Sequence, residues 1–252
     1  MILAVHQPYF LPYIGYWQLI HAADLFLVAD DYAFIKGGWI KRNRILVNGR
    51  PHYLGIGVRE DSFKRCDEMA VRNIDETRIR NLLYEGYHKA PHYREGMALI
   101  DETLSCGEKV LSEFLLNAIR VVCAYLDIDT PIGRTSDFPG NRDFKREERI
   151  YDLCARLDAD IYANAIGGTS LYDFEAFRRR GVELRFLRPS DIVYRQYQND
   201  FVRDLSIIDA IMFNARDAVR AMLDRYTWVT EAQTRRGSAS WIGKALFLAL
   251  IR

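Results

Sequence analysis

Residues 2–31 read ILAVHQPYFLPYIGYWQLIHAADLFLVADD, and the organisation of the whole chain follows from them. The all-apolar run 2–5 is cut off at once by His6, Gln7 and Pro8, the pattern of a buried strand that ends in a loop. From Pro12 onward, Ile14, Trp17, Leu19 and Ile20 take up helical spacing, and proline is well tolerated in a first helical turn. Asp24 then opens a second apolar strand, LFLV, which runs out into the acid pair Asp30 and Asp31. Strand, loop, helix and strand in so short a span make a βαβ unit, whose crossover connection produces parallel strands.

The alternation returns later. Residues 128–133 read as a strand. Residues 147–157 read as a helix with Ile150, Leu153, Cys154 and Leu157 inward. Residues 160–164 form a strand, 172–180 a helix and 182–187 another strand. Earlier in the chain, Asn48-Gly49 between 44–47 and 52–58 signals a tight hairpin. Over 74–125 the pattern is helical, with Leu111, Leu115, Ile119, Val122 and Cys123 on one face. The expected fold is α/β: a mainly parallel Rossmann-like sheet flanked by helices. Residues 1–204 are expected to form one domain that includes the hairpin 44–58 and the helical segment 74–125. Residues 205–252 are expected to form a helical C-terminal part: one helix over 205–226, then the nearly all-apolar WIGKALFLALI after Gly237-Ser238. At ~1.5 Å per residue that tail is too short to cross a bilayer, so it is expected to dock on the protein or on a second copy in a homodimer.

The chain has 252 residues, 49% of them hydrophobic, and a formal net charge of +1. These values exclude a disordered chain and a generic basic nucleic-acid binder. The sum conceals a skew. Of the 35 cations 28 are Arg, and residues 33–59 contain no acid while holding Lys36, Lys41, Arg42, Arg44, Arg50 and Arg59. Cations packed without acids repel one another unless an anion joins them, so a phosphate or carboxylate ligand fits this stretch. Tyr32, Phe34 and Trp39 could stack on a base or sugar. The bland alternative is a solvated basic loop. Cys66, Cys106, Cys123 and Cys154 form no C-x-x-C pair, the start lacks the basic region and apolar run of a signal peptide, and no long apolar run occurs. A reduced, cytoplasmic protein with no stable membrane insertion is expected.

His6 is the leading candidate for chemistry. It stands where the first strand meets the next helix, the place where open α/β sheets bind ligands and where a helix N-terminus favours anions. A histidine there can relay a proton near neutral pH. Asp30, Asp31 and His52 are its candidate partners, with Asp30 and Asp31 grouped with His6 as catalytic. Gln7, Tyr9, Lys36, Lys41, Arg42, Asn43, Arg44 and His52 are candidate substrate contacts, as are Arg134 and Ser136 after the strand 128–133. Arg149 joins them in a helix start where Lys145 and Arg146 would oppose the dipole. Gly167 and Gly168 would let a backbone approach a ligand, with Tyr172 close behind. The chain carries no H-E-x-x-H, G-x-S-x-G or Walker pattern.

The run HQPYFLPYIGYW, residues 6–17, resembles the opening signature of the WbqC-like family. The likeness continues through Asp30-Asp31, Lys36, Lys41-Arg42-Asn43-Arg44-Ile45, Lys89-Ala90-Pro91-His92-Tyr93, Arg134-Thr135-Ser136 and Arg149-Ile150. It returns at Gly167-Gly168-Thr169-Ser170-Leu171-Tyr172 and Leu205-Ser206-Ile207-Ile208-Asp209, so it spans about residues 1–215. Ala165-Ile166 departs from a frequent Gly-Pro pair, and Arg203 from a frequent proline. The resemblance implies a role in bacterial O-antigen or other surface-polysaccharide assembly. A glycyl or other aminoacyl transfer to an amino sugar is the suggested reaction. Its implied partners are a nucleotide-linked sugar or another phosphate-bearing small molecule, with a nucleotide or an activated aminoacyl donor, such as an aminoacyl-tRNA, as co-substrate. Two alternatives are a nucleotidylyltransferase-like enzyme and a non-catalytic nucleotide-sugar-binding or scaffold protein.

Overall fold

The structure, a computed structural model, describes residues 1–58, 64–72, 74–198 and 200–233. The apolar tail expected to dock near the C-terminus, and Arg59 of the basic stretch, lie outside the described residues. A six-stranded sheet is built from β1 (Ile2–His6), β2 (Leu25–Val28), β5 (Ile132–Arg134), β6 (Ile161–Ala165), β7 (Glu183–Pro189) and β8 (Tyr226–Val229), in the spatial order β5-β2-β1-β6-β7-β8. All neighbours pair in parallel except β7 with β8. Counted along the chain within this sheet, the order is that of the Rossmann fold, and the direction of the connections reverses between β1 and β6. Leu3 pairs with Leu25 on one side of β1 and with Tyr162 on the other.

Strand side chains alternate between two cores, as the two-residue period of a strand requires. Ala4, Phe26, Val28, Ala163 and Leu187 face the larger core, shared with α1 (Ile14–His21), α4 (Leu111–Tyr125), α7 (Ile207–Phe213) and α8 (Arg216–Leu223). Leu3, Val5, Leu27, Tyr162 and Phe186 face the smaller one, covered by α5 (Glu147–Arg156) and α6 (Phe174–Arg178). The sheet is therefore sandwiched by helices, as its near-continuous apolar strands demand.

The hairpin is a separate two-stranded sheet, β3 (Arg42–Val47) with β4 (Arg50–Gly55), turned at Asn48 and Gly49, both left-handed. It starts two residues earlier than the sequence implied and ends three earlier. The helical segment resolves into α2 (Glu76–Tyr87), α3 (Tyr93–Leu104) and α4. Breaks fall at Pro91 and at Gly107, whose φ is +70°.

Two expectations are corrected. Residues 205–226 are not one helix but α7 and α8, and the chain then adds β8 as an antiparallel edge strand. The helix breaks because Asn214 turns extended and its side chain takes the Ala210 carbonyl, the local competition that disfavours Asn inside helices. Lys145 and Arg146 do not occupy a first helical turn. α5 starts after them, with Glu147 and Glu148 in the first turn, where acids suit the dipole. Among the described residues, no helix is long and apolar enough to cross a membrane.

Two buried polar clusters pin these layers. Asp31, at the end of β2, receives both carboxylate contacts from the Arg149 guanidinium at 2.7 and 2.8 Å. Thr135 bonds the same carboxylate, and Asn141 holds Arg149 Nε at 2.9 Å. Asp209 on α7 accepts from Tyr87 of α2 and from Tyr194 and Gln196 of the loop after β7. Arg149→Leu removes the buried partner of the Asp31 carboxyl group; denaturant unfolding should show a loss of about 3–5 kcal/mol. Replacing Asp31 with Ala in the same chain should recover much of that loss.

Candidate functional site

The turn between β1 and α1 carries the site. It contains two prolines, Pro8 and Pro12, so it has few amide donors of its own, yet its carbonyls are buried. Donors from elsewhere take them. Gln7 O accepts from Tyr16 OH, Phe10 O from Asn43 Nδ2 and Leu11 O from Ser206 Oγ. Pro12 O accepts from Trp17 Nε1 and from the Ile207 amide. Leu11 is held at φ +46°, an uncommon conformation for a leucine. The turn is thus fixed by α1, by β3 and by the start of α7.

Within this frame His6 is oriented on two sides. Its Nδ1 lies 3.0 Å from Gln7 O. A carbonyl only accepts, so Nδ1 carries the ring proton and Nε2 the lone pair. Tyr9 and Tyr16 meet the imidazole edge-on, each with centroids 5.0 Å away. Burial lowers the His6 pKa below its ordinary 6.5, an effect the Gln7 hydrogen bond only partly opposes. At neutral pH the ring is therefore an uncharged base. Burial likewise raises the phenols: Tyr13 is pushed up to about 12, with the nearby Asp204 carboxylate adding to the effect.

His6 opens onto a cavity of about 330 Å³ at the point between β1 and β6 where the connections reverse. Tyr9, Tyr13, Tyr16 and Trp39 make it strongly aromatic; Asn43, Arg44 and Asp204 supply polar groups, and Ala165, Ile166 and Gly167 form a backbone edge. Gly15 permits this shape. A Cβ there would lie 2.5 Å from the Tyr13 ring, which would have to leave the cavity wall. On its other side His6 borders a smaller cavity of about 40 Å³ lined in part by Gln7, Tyr9, Tyr32, Asn164 and Tyr172. Gln7 Oε1 and Tyr32 OH are buried without hydrogen-bond partners.

The expected residues are distributed unevenly. His6, Tyr9, Asn43, Arg44 and Gly167 line the main cavity; Gln7 and Tyr172 line the small one; Gly168 is buried beside them. Arg44 lies over the Trp39 ring at 5.6 Å and donates to Asp204 O. Arg42 instead donates to Gly37 O and lies over Tyr53, while Lys36 and His52 are exposed and neither they nor Lys41 line the cavity. Asp30 and Asp31 stand outside both linings. Asp30 accepts from Thr135 and twice from Ser136, and burial raises its pKa. Arg134 pairs with Glu113 and Asp137, and Arg149 with Asp31. Tyr13 and Asp204 are cavity residues that sequence reasoning missed. The spacing of Tyr9, Tyr13 and Tyr16 was a usable signal for the first, whereas nothing local marks Asp204. Among the described residues, no group of three or more His, Cys, Asp or Glu is placed to hold a metal ion.

A model of the WbqC-like protein family matches residues 7–221. The chain is 26% identical over 220 residues to the uncharacterized protein Rv1507c of Mycobacterium tuberculosis, a match covering 84% of this chain and 93% of that protein. No solved structure matches. The family match takes in the histidine turn's helix, the hairpin, the end of β6 and α7, the parts that build the cavity, and the chain belongs to the WbqC-like protein family.

Proposed function

We propose that the protein is a cytoplasmic transferase that places an aminoacyl or other acyl group on the amine of a nucleotide-linked amino sugar, in the assembly of a surface polysaccharide or glycoconjugate. One observation carries this reading: an uncharged histidine, with Nδ1 committed to Gln7 O, borders an aromatic cavity at the sheet's switch point. In the reaction the sugar amine attacks the donor carbonyl and forms the C–N bond. The bond from that carbonyl to the carrier oxygen breaks with its electrons, and the amine proton passes to His6 Nε2. Trp39 and the tyrosines suit a base or sugar face, Asn43 and Arg44 its phosphates, and the Ile166-Gly167 backbone a close approach. Asp30, Asp31, Ser136 and Arg149 hold the neighbouring wall in place, and Tyr16 positions His6 through the Gln7 carbonyl they share.

A second reading is nucleotidylyl transfer, favoured by the placing of a histidine at the end of the first strand in this strand order. Mass spectrometry of mixtures of an aminoacyl donor with a nucleotide-linked amino sugar tests the first: an N-acylated sugar is expected. Pyrophosphate released from a nucleoside triphosphate and a sugar phosphate would carry the second instead. Thermal stabilisation by the nucleotide sugar without product from either mixture would leave a binding protein.

His6→Asn should lower turnover about 10²- to 10⁴-fold while the melting temperature and acceptor binding hold. Unchanged turnover removes His6 from the chemistry. The acid limb of kcat/KM should fall below pH 6.5, because burial lowers the folded pKa and the base is lost only as pH drops through that value. Stability shares this sign. The unfolded chain protonates the ring at a higher pH than the folded one, so the folded state loses stability as pH falls from 6.5 through the lowered pKa. Unfolding of His6→Asn, followed across pH 7 to 4, should show a shallower decline.

A further inference from the structure

A second cavity, about 310 Å³, opens on the same edge of the sheet beyond the carboxyl end of β7. The loop 190–206, α7 and α8 close it. Its lining is mainly apolar, from Ile14, Ile192, Phe201, Leu205, Ile207 and Met222, while Arg188 and Arg203 add positive charge. Arg203 pairs with Asp191 at 2.9 Å, and both side chains are more than half exposed. Such pairs contribute little in water, so an incoming anion can displace Asp191 easily. Tyr13, Ile166 and Asp204 line both this cavity and the one beside His6. Groups bound in the two would meet at that wall.

We propose that the second cavity binds the acyl donor, and that the acyl group is an apolar chain or side chain of several carbons rather than glycyl. This rests on the transferase reading above. Glycyl has no side chain and would leave the apolar lining uncovered. At about 30 Å³ for each water-sized group, the cavity takes roughly ten heavy atoms. Arg203 lines this cavity and precedes Asp204, a residue of the shared wall, in the chain. A donor with its chain among Ile207 and Met222 and its anionic carrier at Arg203 presents its carbonyl near that wall. There the amine attacks as the carrier–carbonyl bond breaks and His6 receives the proton. The Asp204 carboxylate on the wall accepts a hydrogen bond from the acceptor's uncharged amine and orients its lone pair toward the carbonyl.

The test uses the full chain with methyl-labelled Ile and Met, titrated with butyrate, hexanoate and octanoate and, as a cationic control, hexylamine. Carboxylates should shift the Met222, Ile14 and Ile207 methyl signals and bind roughly fourfold tighter for each added methylene. Hexylamine should bind much more weakly, and Arg203→Glu should reverse the preference. Ala210→Phe should block the site. Met222→Ala, which only enlarges it, should lengthen the preferred chain and guards against a folding failure of the first variant. Binding without dependence on chain length, equal binding of hexylamine, or shifts confined to the residues around His6 would overturn the proposal. If the carboxylates bind as expected but matching acyl donors yield no product, the transferase reading fails and the apolar-anion site remains. If a glycyl donor turns over equally in folded Ala210→Phe, the donor's placement fails and the transferase reading remains.

Discussion

Main-chain carbonyls of the β1–α1 turn decide how the rest of the molecule must be arranged. A buried carbonyl without a donor costs about 1–3 kcal/mol, and the turn from Gln7 to Tyr13 has two prolines that donate nothing. The donors that serve it come from α1, from the hairpin strand β3 and from the start of α7, some 200 residues away in sequence. Each of these elements is therefore drawn to one place. The same bonds fix His6, since the Gln7 carbonyl that orients its ring is the one Tyr16 holds. Packing of the fold and tautomer of the base are two consequences of one set of hydrogen bonds.

Charge follows the same logic of placement. The acid-free basic stretch suggested a collective anion site, but its members have separate duties. Arg42 lies on Tyr53 and Arg44 on Trp39, each guanidinium against an aromatic face and a backbone carbonyl. Stacking of this kind lets cations sit close together without acids, because the rings and carbonyls supply the negative potential. Asn43 and Arg44, adjacent in β3, line the cavity. Between the loop after β2 and α5 the pattern is opposite: Asp31 and Arg149 compensate each other in the interior.

The start of the parallel core was readable because β1 and β2 are apolar runs, ILAV and LFLV, bounded by His and Asp, and α5 because its apolar positions Ile150, Leu153 and Cys154 fall on one face. His6 was readable for the same reason: it ends a strand that the pattern defines. What escaped was set by contacts distant in sequence. β8 is a strand because β7 offers it an edge, and the run YTWV alone does not separate that from the end of a helix. The break at Asn214 depends on a side chain choosing a carbonyl one turn back. Asp204 lies in an irregular loop, and only the closing of 190–206 over α7 brings it to the cavity wall. Asp30 and Asp31 were visible as a pair, but their partners Thr135, Ser136 and Arg149 are more than 100 residues away.

The two cavities follow from the strand order. Where β1 and β6 lie side by side, their following connections leave in opposite directions and open a crevice at the carboxyl edge. Tyr13 enters it from the first connection and Ile166 from the end of β6. A further opening forms beyond β7, where the chain must travel from a parallel strand to the antiparallel β8 and takes the path 190–206 to do so. Asp204 lies on that path and reaches the same wall. Three segments from distant parts of the chain thus line both cavities, and their placement depends on the assembled sheet. Asp209 makes the dependence stronger: its carboxylate bonds Tyr87, Tyr194 and Gln196, so the loop that carries Asp204 is held down by α7 and α2. Loss of that buried node would loosen the wall shared by the cavities and, through the Ser206 bond to Leu11 O, the turn that carries His6.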